Sequence, residues 1–356
     1  MAHKLLRTAW GVIGCCGLLA LGGSPAQATF PGKNGKIAYS TGESPCNPDS
    51  GNGFVVTINP DASGSQTLGE GCNPAWSADG ARLAFDVALP EEFDDGANFV
   101  FSSAADGTDR ASLGFVGFNE VSPVWSPDGQ TITFECDAGV CAMNSRGSDR
   151  RVLIADECAG GLAWSPDGTR VAFGRIDRFD ECSGPTGIFT MPAAGGAATL
   201  VVADEFAFGP NWSPDGEKLL YSSGPVFTSP RAVGPFDLFS IRADGGAPTN
   251  LTATTTLSEV GGAWSPDGTQ VVFSRGPLVT FSPDLYLMQA DGTDVRLFVT
   301  DARAPDWQPL PGPRPGDFKN RAHFCKAERE FWGDEAFRER YGGHANTFGK
   351  CVSAKS

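Results

Sequence analysis

Carboxylates and cysteines are the residue types that this sequence offers for chemistry, because its histidines are few and lie near its ends. The three histidines are His3, His323 and His344. A Ser-His-Asp triad or a His-rich metal site therefore cannot form in the long middle of the chain. The sequence also lacks a Gly-x-Ser-x-Gly elbow and a phosphate-binding loop ending in Gly-Lys-Ser/Thr. We expect no catalytic residue and no cofactor.

Acidic side chains are clustered in four short segments of variable sequence, at residues 91–95, 156–157, 180–181 and 204–205. Carboxylate oxygens are ligands that calcium prefers, although EF-hand spacing is absent here. A pair of carboxylates could also serve a glycoside-cleaving enzyme. The alternative interpretation is exposed loop charge that forms no site.

A repeated pentapeptide, Trp-Ser-Pro-Asp-Gly, determines where these segments lie. It begins at Trp125, Trp164, Trp212 and Trp264, and the variant Trp-Ser-Ala-Asp-Gly begins at Trp76. Ser-Pro-Asp-Gly has the residue preferences of a type I β-turn. Alternating polar and apolar residues follow each copy, which predicts a β-strand after each turn.

Successive tryptophans are 39–52 residues apart, with room for four short strands in each interval. A period near 40–50 residues with four strands is typical of a β-propeller blade. A sixth copy is divided between the two ends, where Trp307 marks one strand and residues 30–68 supply three more. We therefore predict an all-β, six-bladed propeller, closed by pairing of residues 304–308 with 36–40, which removes free sheet edges.

The residues of the repeated turns are interpreted as structural, because they would pack between blades and cap turns. They are Trp76, Asp79, Trp125, Asp128, Trp164, Asp167, Trp212, Asp215, Trp264, Asp267 and Trp307.

These repeats resemble the WD-type propeller repeats of the TolB-like family, over residues 30 to about 309. The resemblance rests on the five turns, each followed by a strand that ends in Phe or Tyr. It is specific for the fold, whereas the same fold serves protein binding, lyases and peptidase gates. Genuine TolB has an α/β domain before its propeller. We expect none before Phe30, and hence no true TolB role.

Eight cysteines follow the N-terminal leader, an even number that favours disulfides in an exported chain. In such a propeller, the loops after the second and fourth strands lie on one face, which implies particular partners. The predicted pairs are Cys46–Cys72, Cys136–Cys141, Cys158–Cys182 and Cys325–Cys351. A zinc site is the alternative, but Cys-x-x-Cys spacing is absent.

Residues 1–28 have the features of a secretory signal peptide, with basic residues, an apolar centre and Ala-Gln-Ala before the expected cleavage site. The alternative is lipoprotein processing at Cys15. The apolar run is too short for a transmembrane segment. We therefore expect a bacterial protein that is secreted or retained in the periplasm or cell envelope.

The propeller is expected over residues 29–311, followed over 312–356 by a Pro-rich linker and a small helical, cysteine-containing tail. Asp317 is the predicted N-cap of the first tail helix, and Gly333 its stop. A disulfide would stabilise so small a unit.

Residues 29–311 carry 16 basic and 36 acidic side chains, a net charge of −20, whereas the tail carries +3. Such a ring repels nucleic acid and anionic membranes. We hypothesise a monomeric, non-enzymatic propeller that binds a protein or peptide of the cell envelope through its loops. Two alternatives stay open: a carboxylate-based, calcium-assisted enzyme acting on glycans, and a structural envelope module attached through its tail.

Overall fold

The computed structural model describes residues 29–42, 53–88, 98–114, 120–176, 183–224, 235–277, 283–313, 318–341 and 347–353. In this part of the chain, six four-stranded sheets are followed by three helices. The sheets are the blades of a six-bladed propeller, so the predicted fold class is confirmed. The chain divides into two compact units, Met1–Pro309 and Leu310–Ser356.

We number the blades 1–6 along the chain and give the strands of each from the centre of the ring outwards. Blade 1 comprises β24 (Ala302–Leu310), β1 (Lys33–Thr41), β2 (Phe54–Ile58) and β3 (Gln66–Glu70). Blade 2 comprises β4 (Cys72–Trp76), β5 (Arg82–Ala88), β6 (Asn98–Ala104) and β7 (Ala111–Ser112). Blade 3 comprises β8 (Val121–Trp125), β9 (Thr131–Cys136), β10 (Gly139–Asn144) and β11 (Arg151–Ala155). Blade 4 comprises β12 (Ala159–Trp164), β13 (Arg170–Arg175), β14 (Gly187–Pro192) and β15 (Thr199–Ala203). Blade 5 comprises β16 (Phe208–Trp212), β17 (Lys218–Ser223), β18 (Asp237–Arg242) and β19 (Thr249–Asn250). Blade 6 comprises β20 (Ser258–Trp264), β21 (Gln270–Gly276), β22 (Asp284–Gln289) and β23 (Arg296–Val299).

The core lies between blades, because the first two strands of each blade are covered on both faces by neighbouring sheets. On β21, the adjacent residues Val271 and Val272 point to opposite faces, and both are fully buried. The outermost strands differ. On β11, Val152 is half exposed, and Leu153 and Ile154 are only partly buried. The outer strands therefore form the accessible rim of the ring.

Blade 1 is assembled from both ends of the ring, as the sequence predicts, with β24 beside β1. Across this junction, the Lys36 amide donates to Gln308 Oε1 at 3.1 Å. On its other side, β24 meets blade 2, where the Trp76 amide donates to Asp306 Oδ2 at 2.6 Å. Burial raises the pKa of Asp306 to about 8, despite its backbone hydrogen bonds. The closing strand thus buries a carboxyl group that resists ionisation.

The Leu310–Ser356 unit contains the helices α1 (Arg321–Trp332), α2 (Asp334–Arg340) and α3 (Thr347–Ser353). The N-cap of α1 is Asn320, whose side chain accepts the His323 amide at 3.0 Å, so the expected cap at Asp317 is corrected. Asp317 itself lies outside the described residues. Gly333 ends α1 as predicted, with its amide donating to Arg329 O. None of the helices in the described residues has the length and apolarity needed to cross a membrane.

A disulfide, two phenylalanines and a buried carboxylate form the core of this unit. Cys325 and Cys351 are bonded and fully buried, linking α1 to α3, and Phe324 and Phe337 pack in the same cluster. Glu328 is 3% exposed, accepts a hydrogen bond from the Tyr341 hydroxyl, and pairs with Arg340 Nε at 3.3 Å. The unit therefore combines one covalent bond, a small apolar cluster and one polar network.

We expect Asp306→Asn to stabilise the ring at pH 8.5 and to flatten the dependence of its stability on pH. Burial raises the pKa of the Asp306 carboxyl from 3.8 to about 8 when the ring folds. The stability from this group is therefore complete below about pH 4 and is lost as pH rises through about 8. Asparagine keeps an acceptor for the Trp76 amide. Urea unfolding at pH 5 and 8.5 measures the effect, with the exposed Asp109→Asn as control. Equal pH slopes in wild type and Asp306→Asn would contradict this assignment.

We expect replacement of both Cys325 and Cys351 by serine to destabilise the helical unit by about 3–4 kcal/mol, from the entropy of a loop of this size. The two cysteines are 26 residues apart. Loss of helical circular dichroism at lower temperature, with the unfolding of the β-sheet ring unchanged, is the expected result. The double replacement of Cys136 and Cys141, which are 5 residues apart, is the control, because a shorter loop contributes less. An unchanged helical transition in the tail variant would rule the effect out.

Candidate binding face

The six repeat tryptophans are packed inside the ring, and each is at most 8% exposed. Two of them connect neighbouring blades by hydrogen bonds from the indole. Trp212 Nε1 donates to Ala163 O, and Trp164 Nε1 donates to Thr133 Oγ1, both at 3.2 Å. The tryptophans therefore hold blades together and present no surface to a ligand.

The aspartates of the repeated turns are bonded within their own turns. In all five, the serine hydroxyl donates to the aspartate at 2.6–2.7 Å. The amide two residues after the aspartate donates to the same oxygen at 2.9–3.0 Å. The hydrogen bond from Ser165 lowers the pKa of Asp167, followed by that of the Thr169 amide. These carboxylates stabilise turns on one face of the ring.

The opposite face carries the connections that follow the second and fourth strands of each blade, and we call it the loop face. Two of its acidic residues cap turns. Asp156 accepts the Cys158 amide at 3.0 Å and Arg175 Nε at 2.6 Å. Asp204 accepts the Phe206 amide at 3.0 Å in the same way. Their sequence neighbours, at positions 157 and 205, are exposed. The acidic segments at 91–95 and 180–181 lie outside the described residues.

Two buried glutamates at the starts of inner strands form ion pairs. Glu120 pairs with Arg150, and Glu259 with Arg275 Nε at 2.8 Å. Burial raises the pKa of Glu259 to about 7, against the opposing effect of Arg275. Among the described residues, no group of three His, Cys, Asp or Glu side chains could hold a metal ion. The acids that are described here act within the fold.

Each inner strand contains a residue with left-handed backbone, three positions before its tryptophan. The six residues, with φ between 50° and 63°, are Asn73, Ser122, Gly161, Gly209, Gly261 and Ala304. In three blades, this residue donates its amide to a side chain of the preceding blade's second strand. The acceptors are Ser40 Oγ at 3.0 Å, Asp86 Oδ1 at 3.1 Å and Glu135 Oε1 at 2.7 Å.

Asp86 is the most perturbed acid in this arrangement. It is 1% exposed and also accepts Asn73 Nδ2 at 2.9 Å. Burial raises its pKa to about 7, and the nearby Glu135 charge adds to this. Because the carboxyl is buried against backbone amides, it joins blades and does not face a substrate.

The disulfides lie where the loops return to the strands. Cys136 and Cys141 are bonded across the hairpin of β9 and β10. Cys72 and Cys158 are each disulfide-bonded. Their predicted partners, Cys46 and Cys182, lie outside the described residues.

The first described residues cross the centre of the ring on the side of the repeated turns. Thr29 Oγ1 donates to Asn211 Oδ1 of blade 5 at 2.9 Å. Phe30 belongs to the buried cluster of blades 2, 3 and 4, and the Gly32 amide donates to Pro266 O of blade 6 at 3.2 Å. The segment from Thr29 to Gly32 thus connects blades 5 and 6 with the core shared by blades 2 to 4.

A groove of about 460 Å³ runs along the rim between blades 3 and 4, starting at the loop face. Leu153 and Ile154 of β11 form one wall. Phe173 and Phe189 form the floor as a stacked pair, 5.5 Å between ring centroids. The ion pair of Asp156 with Arg175 lies at the loop-face end. The groove is therefore mostly apolar, with one polar end.

Sequence reasoning did not find this groove. The aromatic pair on the second and third strands, Phe173 and Phe189, is visible in the sequence, but such a pair recurs in blades 2, 5 and 6 and does not single out this groove.

No family model matches this sequence, and no curated protein matches it. Solved structures do. TolB from Acinetobacter baumannii is 20% identical, with 79% of this chain and 68% of that chain covered and a TM-score of 0.60. A putative TolB from Agrobacterium tumefaciens is 18% identical, with 76% and 91% covered and a TM-score of 0.57. A chain of a nidogen/laminin complex is 9% identical, with 78% and 99% covered and a TM-score of 0.58.

These likenesses concern the fold. The chain has the architecture of the TolB-like six-bladed propellers, and the resemblance in the repeated turns is confirmed at that level.

We expect Ser126→Ala to destabilise the ring by about 1–3 kcal/mol, because it removes hydrogen bonds from a buried site. The Ser126 hydroxyl donates to Asp128 and accepts the Thr131 amide at 2.9 Å, and the residue is 2% exposed. Guanidinium unfolding followed by tryptophan fluorescence measures the loss. The exposed Ser183→Ala should change little. Equal midpoints for the two variants would show that the turn network is dispensable.

Proposed function

We propose that this chain is an exported, non-enzymatic scaffold that binds a protein or peptide through its loop face and the groove between blades 3 and 4. The observation that carries the proposal is the groove itself. It is open to solvent, floored by two aromatic rings, and bordered by β11, an outer strand that ends the sheet of blade 3. Aromatic floors and outer sheet edges are common elements of peptide recognition.

The chemistry of the described acids supports binding rather than catalysis. The carboxylates of Asp86, Asp156 and Asp204 accept hydrogen bonds from backbone amides, and Glu120 and Glu259 are in ion pairs. A general acid or base must reach the proton that it transfers. Carboxylates held in this way serve the fold instead.

Charge and cysteine content indicate the kind of partner and the compartment. The net charge of −20 over residues 29–311 attracts positively charged partners and speeds their association. Disulfides persist in oxidising environments, which agrees with the signal peptide predicted over residues 1–28.

The test is capture of partners from cell-envelope extract by the full chain and by two matched variants. Leu153→Lys places a positive charge in the groove, which repels a cationic partner. Phe298→Lys is the control, because it occupies the same register position on β23 and is likewise partly buried. We expect a partner that is retained by Phe298→Lys and reduced at least tenfold by Leu153→Lys, with similar unfolding temperatures. Equal capture by both variants would contradict binding at the groove.

A polysaccharide panel, assayed with and without a chelator, tests the alternative function. Turnover of any glycan by the full chain would contradict the proposal and favour a carboxylate-based enzyme. Chelator-sensitive turnover would further indicate calcium.

A further inference from the structure

We propose that the groove between blades 3 and 4 binds the guanidinium group of an arginine side chain presented by the partner. This proposal rests on the proposed function, because it names the group that a bound peptide inserts. The argument comes from blades 2 and 3 of the same ring. In these two blades, the equivalent space is filled by an arginine of the chain itself.

In blade 2, that arginine is Arg110. Its guanidinium carbon lies 4.6 Å from the ring centroid of Phe85 and 5.2 Å from that of Phe101. Its Nη2 donates to the carbonyl of Glu70, at the end of the outer strand of blade 1. A cation over two aromatic faces is attracted by their quadrupoles. The space between blades 1 and 2 is therefore occupied.

In blade 3, the corresponding residue is Arg150. Its guanidinium carbon lies 5.5 Å from the Phe134 centroid. Its Nη2 donates to the carbonyls of Leu113 at 3.2 Å and Gly114 at 2.6 Å, beyond the outer strand of blade 2. Its Nη1 pairs with Glu120. The two blades share an aromatic face beneath the guanidinium and carbonyl acceptors at or just beyond the end of the preceding blade's outer strand, and blade 3 adds a carboxylate.

Strand register identifies the equivalent residue in blade 4. Arg110 and Arg150 each stand one residue before the first paired residue of their outer strand. In blade 4, the first paired residue of β15 is Thr199, so the equivalent position is Ala198. Ala198 is exposed and lines the groove. The groove is thus the space that an arginine fills in blades 2 and 3.

The shared features are also present in this groove. Phe173 and Phe189 form the stacked floor. When residues are counted from the start of each outer strand, Leu153 and Ile154 occupy the positions of Leu113 and Gly114, whose carbonyls accept from Arg150. Both Leu153 and Ile154 line the groove. Asp156, whose carboxylate is paired with Arg175 at 2.6 Å, lies at the loop-face end. A guanidinium needs planar acceptors and an aromatic face, and the groove offers both.

Arg175 lines the groove but is held at its wall. Its guanidinium donates to Asp156 at 2.6 Å, to Ser183 O at 2.7 Å and to Pro185 O at 2.8 Å. It also balances the Asp156 charge. Attraction of a cationic partner therefore comes from the ring as a whole, with its net charge of −20.

The first experiment fills the groove from within the chain. Ala198→Arg places an arginine where blades 2 and 3 have one, and Ala197→Arg adds the same charge at the exposed neighbouring position. The probe is the tripeptide acetyl-Gly-Arg-Gly-amide, with its citrulline analogue, titrated by NMR. We expect wild type and Ala197→Arg to bind the arginine probe within about twofold of each other. We expect Ala198→Arg to bind it at least tenfold more weakly, and wild type to bind the citrulline probe at least tenfold more weakly.

The opposite change should create a second site. Arg110→Ala opens the equivalent space between blades 1 and 2, so this variant should bind two equivalents of the arginine probe. The proposal is overturned if Ala198→Arg binds the probe as wild type does, or if wild type shows no preference for arginine over citrulline.

Partner capture separates this proposal from the proposed function. A partner lost with Leu153→Lys and also with Ala198→Arg, but kept by Ala197→Arg, supports both proposals. A partner lost with Leu153→Lys yet kept by Ala198→Arg leaves the scaffold function in place and refutes the binding of an arginine in the groove. Equal capture by Leu153→Lys and Phe298→Lys, together with tight probe binding, would refute the scaffold function at this groove alone.

Discussion

Hydrogen bonding between β24 and β1 is the interaction on which the rest of the ring depends. Every blade is covered on both faces by neighbours, so an open ring would expose two apolar faces at once. Closure joins groups 272 residues apart, the Lys36 amide and the Gln308 side chain. It also brings Asp306 against the Trp76 amide. The apolar faces on either side of blade 1 are therefore covered only after the two ends of the ring have met. Pairing with β24 also leaves β1 without a free edge, which limits aggregation.

The repeats share the same turns and backbone geometry, but they differ in the side chains placed next to them. The Ser-Asp turns are nearly identical in five blades, with the serine hydroxyl 2.6–2.7 Å from the aspartate in each. The residue types at positions next to these turns and inner strands differ between blades. The second-strand residue that faces the left-handed inner-strand amide is Ser40 in blade 1, Asp86 in blade 2 and Glu135 in blade 3. One backbone geometry thus accommodates a neutral hydroxyl and two carboxylates, and specificity arises at such variable positions.

The fold could be predicted because its signals are local. Turn chemistry and period-2 alternation are visible within ten residues, and their recurrence gives the blade count. The groove could not be predicted, because Ala198 forms part of it only once the strand register places it near Phe173 and Leu153, which are distant in sequence. The left-handed positions carry only a partial residue-type signal, since glycine occupies three of them but Ser122 and Ala304 occupy two others. Asp317 and Asn320 are both residue types that favour the N-cap, so residue type alone does not choose between them.

The location of Thr29 has a consequence for the order of assembly. Its hydroxyl bonds to Asn211, 182 residues further along, so the first part of the ring to be synthesised has partners that emerge much later. Blades 2 to 6 are each built from one continuous segment, whereas β1 must wait for β24. Contacts between distant segments are the slow ones in folding. A chain that stops before residue 302 lacks β24 and therefore keeps an unpaired edge on β1. Loss of the C-terminal strand thus produces a structural defect near the N-terminus.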